Sequence, residues 1–370
     1  MWFRALRVVA GAILLLAVTA APAGAVATAT FIPSEQEVVP SCEASIPFDP
    51  SDFAETPRDD NWWLPLKPNT QYVLEGQSNR GGGLLPHRVV FTVTDLTKKI
   101  NGVNTRVLWD VDINQGQVSE AELAFFAEDW ADNVWLFGEY PEEYEGGLFK
   151  GAPNTWLAGS AGAEAGVQVP SYFSLSGTPY VQGFAPSVGF FDCGKDIIKG
   201  ESTCVPYGCF GGVAVVEEWS PLDPEGGFQR KLYARKVGNI SIGAVNDPEG
   251  ETLVLTQRST LTPEAAQQAH DEALKLDERA YLVSDVWSNT DPAQPGGKRP
   301  PPPLPSPTPV NPGPPAVPIA AATTSKKKKA KKRKRCRSKR RAHAKRKSAS
   351  KRKRSGTKRR RCGAKKKRRR

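Results

Sequence analysis

A strict two-residue alternation is the strongest constraint on how this chain can fold. Val103, Thr105, Val107, Trp109, Val111 and Ile113 fall on one face of an extended segment, while Asn104, Arg106, Asp110 and Asp112 fall on the other. That period belongs to a strand; a helix would repeat its apolar positions every three or four residues. Val89, Phe91 and Val93 alternate in the same way upstream, and Asn101-Gly102 lies between the two runs. Such a pair readily takes the positive φ angles of a tight hairpin. A second hairpin is predicted at Ala131-Asp132-Asn133, joining residues 120–129 to 134–140. Its first arm sets Leu123, Phe125 and Ala127 against Glu120, Glu122 and Glu128.

Further strands are predicted at residues 212–219, 228–235, 239–245 and 251–260. The stretch 141–190, rich in Gly, Pro and Ser, reads as long loops with one or two short strands. The fold expected is mainly β, an antiparallel meander curved or partly closed into a barrel. One C-terminal helix is marked by Thr262 as N-cap, Pro263 at the first position and Glu264 in the first turn. Its weakly apolar stripe of Ala265, Ala269, Ala273, Leu276 and Ala280 is expected to dock on the sheet.

The ends of the chain differ sharply from this middle. Residues 1–25 read as a signal peptide, with Arg4 and Arg7 before an apolar core and Ala23-Gly24-Ala25 as the processing site, Ala25-Val26-Ala27 being the second choice. The acidic β-rich domain is expected over residues 30–285 and a proline-rich linker over 286–324. Residues 291–318 hold 13 prolines in 28 positions, a composition that favours extended polyproline II. From 325 to 370, 30 of 46 residues are Lys or Arg and none is acidic, so this tail is expected to be disordered. Residues 27–290 carry 17 basic and 38 acidic side chains, a net of −21 hidden inside a whole-chain value of +12. The tail should therefore seek polyanions and the domain repel them.

Four ordered segments, WWLPLKPNTQYVLEG, INGVNTRVLWDVD, FFAEDWADNVWLFGE and VPYGCF followed by VVEEWSPLDP, span about residues 60–260. They resemble a family of uncharacterised exported bacterial proteins with PLKPGT-x-Y, GV-x-x-x-V-x-D, AQD-x-x-GNVWYFGE and VPYG-x-F-x-x-V elements. The resemblance implies a β-rich exported fold and no established activity. Asn69 and Asp132 stand where that family commonly has glycine.

Export places the cysteines in an oxidising compartment, so Cys42, Cys193, Cys204 and Cys209 are disulfide candidates. A local Cys204–Cys209 or Cys193–Cys204 bridge is preferred, with Cys42 taking what remains. No CxxC pair with a nearby histidine supports zinc, no nucleophile elbow accompanies His87 or His270, and Gly81-Gly82-Gly83 lacks the Lys-Ser/Thr of a phosphate loop. No cofactor, metal or catalytic residue is assigned.

Candidate ligand-binding residues are Trp130, Trp135, Asp110, Asp112, Asp129, Asp132 and Glu139. Paired carboxylates with one raised pKa can hydrolyse a glycosidic bond. The plainer expectation is a solvated acidic face on alternating strands. Trp62, Trp63, Trp109, Trp130, Trp135 and Trp156 could line a cleft, but aromatics of β-domains more often pack in the core.

The function expected is a non-enzymatic secreted protein of the cell envelope. Its tail would bind anionic polymers or a membrane surface and present the acidic domain. A secreted glycan hydrolase is the alternative. Contact of the tail with its own domain is a further possible pairing, and nucleic acid is a less favoured partner.

Overall fold

A computed structural model describes residues 41–42, 46–173, 177–296, 313–315 and 317. The expected signal peptide, the Lys/Arg-rich tail and most of the proline-rich linker lie outside these residues. The alternation at 103–113 lies in a five-strand meander: β1 (Thr70–Asn79), β2 (Leu84–Ile100), β3 (Val103–Asn114), β4 (Gln117–Glu128) and β5 (Val134–Glu145). Asn101 and Gly102 turn β2 into β3 with φ of 47° and 86°, as the pair suggests from sequence.

The stretch 141–190 is more ordered than its composition implies. It contains β6 (Leu148–Gly151), β7 (Trp156–Leu157), β8 (Glu164–Val169) and β9 (Tyr180–Ala185). β5 offers a long edge that β6, β7 and β8 share at successive registers, and β9 pairs with β8. At Gly138 a Cβ would lie 2.5 Å from the Trp156 carbonyl oxygen, so only glycine lets β7 come this close.

The second half adds β10 (Phe190–Val205), β11 (Gly208–Trp219), β12 (Phe228–Ala234), β13 (Gly238–Val245) and β14 (Thr252–Thr260). Here the last three strands fall within two residues of their predicted limits. β1 pairs with β14 on one side and β2 on the other, closing an antiparallel barrel of twelve strands: β1–β5 and β8–β14. Closure removes the exposed sheet edges that would invite aggregation.

A helix, α1 (Pro263–Val283), packs on the outside against β2 and β4. Thr262 Oγ1 accepts from Ala265 N at 3.3 Å, and Ala269, Ala273, Leu276 and Ala280 are buried along the expected stripe. The same helix buries Asp277, whose carboxylate accepts from Lys98 Nζ (2.9 Å), Trp287 Nε1 (2.9 Å) and Ala293 N (2.8 Å). Trp287 packs on Phe125 and Tyr140, and β15 (Gln294–Pro295) pairs with β2 beyond the reach of β1. The folded part thus continues about ten residues past the expected boundary at 285. No periodic pattern marks this extension; one buried carboxylate organises it.

Disulfides join Cys42 to Cys193 and Cys204 to Cys209. The first fastens the segment before the barrel to β10, beside buried Trp219. The second links facing residues of the β10–β11 hairpin. Removing one partner of a buried pair strands the other charge. Asp277→Ala is therefore expected to lower unfolding free energy in urea by about 3–5 kcal/mol. The Lys98→Met, Asp277→Leu double variant should recover much of the loss.

Candidate functional site

Barrel closure turns one face of every strand inward, and that face carries an acidic layer. Asp110 lies directly opposite Glu122 across β3 and β4, and Asp112 opposite Glu120. Glu139 on β5 faces Ala124, one pleat from Glu122. These residues share the face of Phe91 and Phe126, which wall a cavity in the lumen together with Tyr72, Tyr233, Leu64 and Lys231. Asp110, Glu122 and Glu139 are buried. Both carboxylate oxygens of Glu122, Oδ1 of Asp110 and Oε1 of Glu139 have no hydrogen-bond partner among the described residues. Glu139 Oε2 accepts from Trp156 Nε1 at 2.9 Å.

Burial disfavours the charged form of each carboxyl, and neighbouring charges of the same sign add to the effect. Burial, helped by Asp112, pushes Asp110 up to about 7. Burial, with Asp192 and Glu120 adding to it, pushes Glu139 up to about 8. Burial and the charge of Glu139 hold Glu122 well above the usual carboxylate range, and burial and Glu122 do the same for half-buried Glu120. Much of the layer therefore holds protons near neutral pH. The expected solvated acidic face is overturned, because the ring puts these side chains inside, away from water.

Cations flank the layer on two sides. His87 lies between Asp112 Oδ1 (Nε2, 2.9 Å) and Glu251 Oε1 (Nδ1, 3.0 Å), with Arg80 Nη2 3.3 Å from Asp112 Oδ2. Burial works against the imidazolium, but hydrogen bonds to Asp112 and Glu251 outweigh it and raise His87 to about 9. Across the lumen, Lys231 pairs with Glu218, whose Oε1 also accepts from Gln182 Nε2 (3.0 Å) and Gln168 Nε2 (3.3 Å).

The other four predicted site residues build the β4–β5 turn, away from this layer. Asp129 is buried and accepts from Ala131 N (2.9 Å), Asn133 N (2.8 Å), Asn133 Nδ2 (2.8 Å) and Trp135 Nε1 (2.8 Å). Its oxygens serve the turn. Asp132 has φ of 65° and pairs with Arg58 Nη2 at 2.7 Å. Asn69 also has positive φ, 61°, so both positions where the resembled motifs have glycine adopt left-handed backbone. Trp135 is buried against Phe48 and Phe53, while Trp130 is 62% exposed beneath Arg58. Trp63, Trp109 and Trp156 are buried and Trp62 is exposed, so most of the tryptophans are core residues.

Sequence reasoning left Glu122, His87 and Lys231 out of the site. The alternation of Glu120 and Glu122 was visible, but which face the ring would enclose was not. Among the described residues no group of three or more His, Cys, Asp or Glu side chains is arranged to hold a metal ion.

No protein-family model and no curated protein matches the chain. Among solved structures it is similar to a Bacteroides fragilis protein described as exported, with a YmcC-like fold. Identity is 11% and TM-score 0.29, over 54% of this chain and 99% of the other. It is also similar to a Parabacteroides distasonis protein described as a lipoprotein, at 14% identity and TM-score 0.27, over 55% and 100% of the two chains.

The raised values set a direction for pH dependence. A raised folded pKa means that the native state holds protons the unfolded chain has released, so stability falls as pH rises. For Asp110 and Glu139 the loss runs from their ordinary carboxylate values up through about 7 and 8, and for His87 from 6.5 up through about 9. The urea midpoint should fall steadily from about pH 5 to about pH 9. Glu139→Gln should flatten its acidic half, and a midpoint that rises with pH would contradict the assignment.

Proposed function

We propose that this chain is an exported, non-enzymatic protein of the cell envelope. Its basic C-terminal segment grips anionic wall polymers or membrane surface, and the barrel is the domain displayed there. The observation that carries this reading is the division of charge, with 30 Lys and Arg in residues 325–370 against a net of −21 in residues 27–290. A polybasic segment gains about 1 kcal/mol per well-placed Lys or Arg at an anionic surface, within a Debye length. The two disulfides support an oxidising compartment.

The alternative, a glycan hydrolase, has facing carboxyls in its favour. Hydrolysis of that kind needs one carboxylate ionised as nucleophile or base beside a protonated acid. Asp110 and Glu122, one of the two facing pairs, are both pushed toward the protonated form, which counts against that pair as nucleophile and acid.

The test compares the full chain with a version ending at Ala322, both expressed in an envelope-bearing host and fractionated in rising NaCl. Full-length protein should stay with the envelope at low salt and be released as salt increases, while the shorter form should be free throughout. Equal partitioning of the two forms would remove the tail as anchor.

A further inference from the structure

We propose that the barrel lumen binds a small amphipathic organic cation, with its ammonium group against Asp110, Glu122 and Glu139 and its apolar body in the neighbouring aromatic cavity. This goes beyond the envelope reading and does not depend on the tail.

Two independent observations meet at this place. The first is the cavity, whose walls include Tyr72, Phe91, Phe126 and Tyr233. The second is Glu122, 1% exposed, with both carboxylate oxygens lacking a partner among the described residues. Strand register sets the two side by side on the inward face. Phe91 is the direct partner of Asp110, and Phe126 lies two inward positions along β4 from Glu122. Lys231 lines the cavity and its charge also acts on Glu122, so cavity and carboxyl layer lie within electrostatic reach of each other.

The chemistry selects the charge of the occupant. Lys231 is already neutralised by Glu218, which leaves the layer with acidic capacity in excess. An anion would find Lys231, the cation that lines the cavity, already paired, and a neutral apolar molecule would leave the unpartnered oxygens unsatisfied. An ammonium donates up to three hydrogen bonds to these oxygens, and the electron-rich faces of the aromatic walls also favour a cation. One carboxyl gives up its proton to solvent as the ammonium takes its place, and the others keep theirs, so one positive charge replaces another without a co-reactant.

The test is isothermal titration of the full chain with 2-phenylethylammonium and, separately, its neutral isostere 2-phenylethanol. The tail repels the cationic probe, so tail binding cannot imitate the expected result. The ammonium should bind at least about tenfold more tightly than the alcohol, as loss of one charge-assisted contact implies. Glu122→Gln and Asp110→Asn should each weaken ammonium binding by about tenfold, while exposed Glu75→Gln leaves it unchanged. Circular dichroism establishes that each variant is folded; should one fail to fold, the other variant and the isostere comparison still decide. Equal affinity for the two probes, no binding of the ammonium, or full affinity in the folded variants would each overturn the proposal. Failure of the tail experiment would leave it standing.

Discussion

The pairing of β1 with both β2 and β14 is the constraint on which the rest depends. A sheet with two free edges could leave one face in water and treat its carboxylates as solubilising groups. A closed ring cannot, because every strand must commit alternate side chains to an enclosed volume. Once the ring closes, the register that places Asp110 opposite Glu122 becomes a statement about a low-dielectric interior. Like charges directly opposite are unfavourable even on an exposed sheet. Inside, the layer responds by keeping protons.

The outside of the barrel uses its buried polar groups differently. Asp277 is satisfied by Lys98, Trp287 Nε1 and the Ala293 amide, and Glu142 receives Arg279 Nε at 2.8 Å and Tyr140 Oη at 2.9 Å. Both carboxylates hold a peripheral element onto the sheet, and their partners are arranged to suit them. Asp110, Glu122 and Glu139 in the lumen have far fewer partners. This contrast separates structural acids from the candidate site better than burial does, since both sets are buried.

Charge is organised on two scales. Over the whole chain, an acidic domain precedes a basic segment. Within the domain, an acidic lumenal layer is flanked by His87 with Arg80 and by the Lys231–Glu218 pair. The first scale acts through long-range fields that salt can screen. The second acts inside the barrel, and it is little screened.

Local patterns in the sequence determined β2–β5 and β11–β14, the Asn101-Gly102 turn, the start and cap of α1 and the existence of a basic tail. Each depends on near neighbours alone: alternation, φ preference, capping or composition. Asp129 and Trp135 showed how far such reading goes, since their clustering was visible but their bonds to each other make a turn rather than a site. The same limit applied to residues 141–190, where β6, β7 and β8 share an edge that β5 supplies. Tertiary structure alone decided that the meander closes, which cysteines meet, that Asp277 extends the domain to Pro295, and that Asp110, Glu122 and Glu139 share one enclosed face. Alternation divides a strand into two faces without saying which is inside. That choice is made by ring closure between residues nearly two hundred positions apart, which no local pattern encodes.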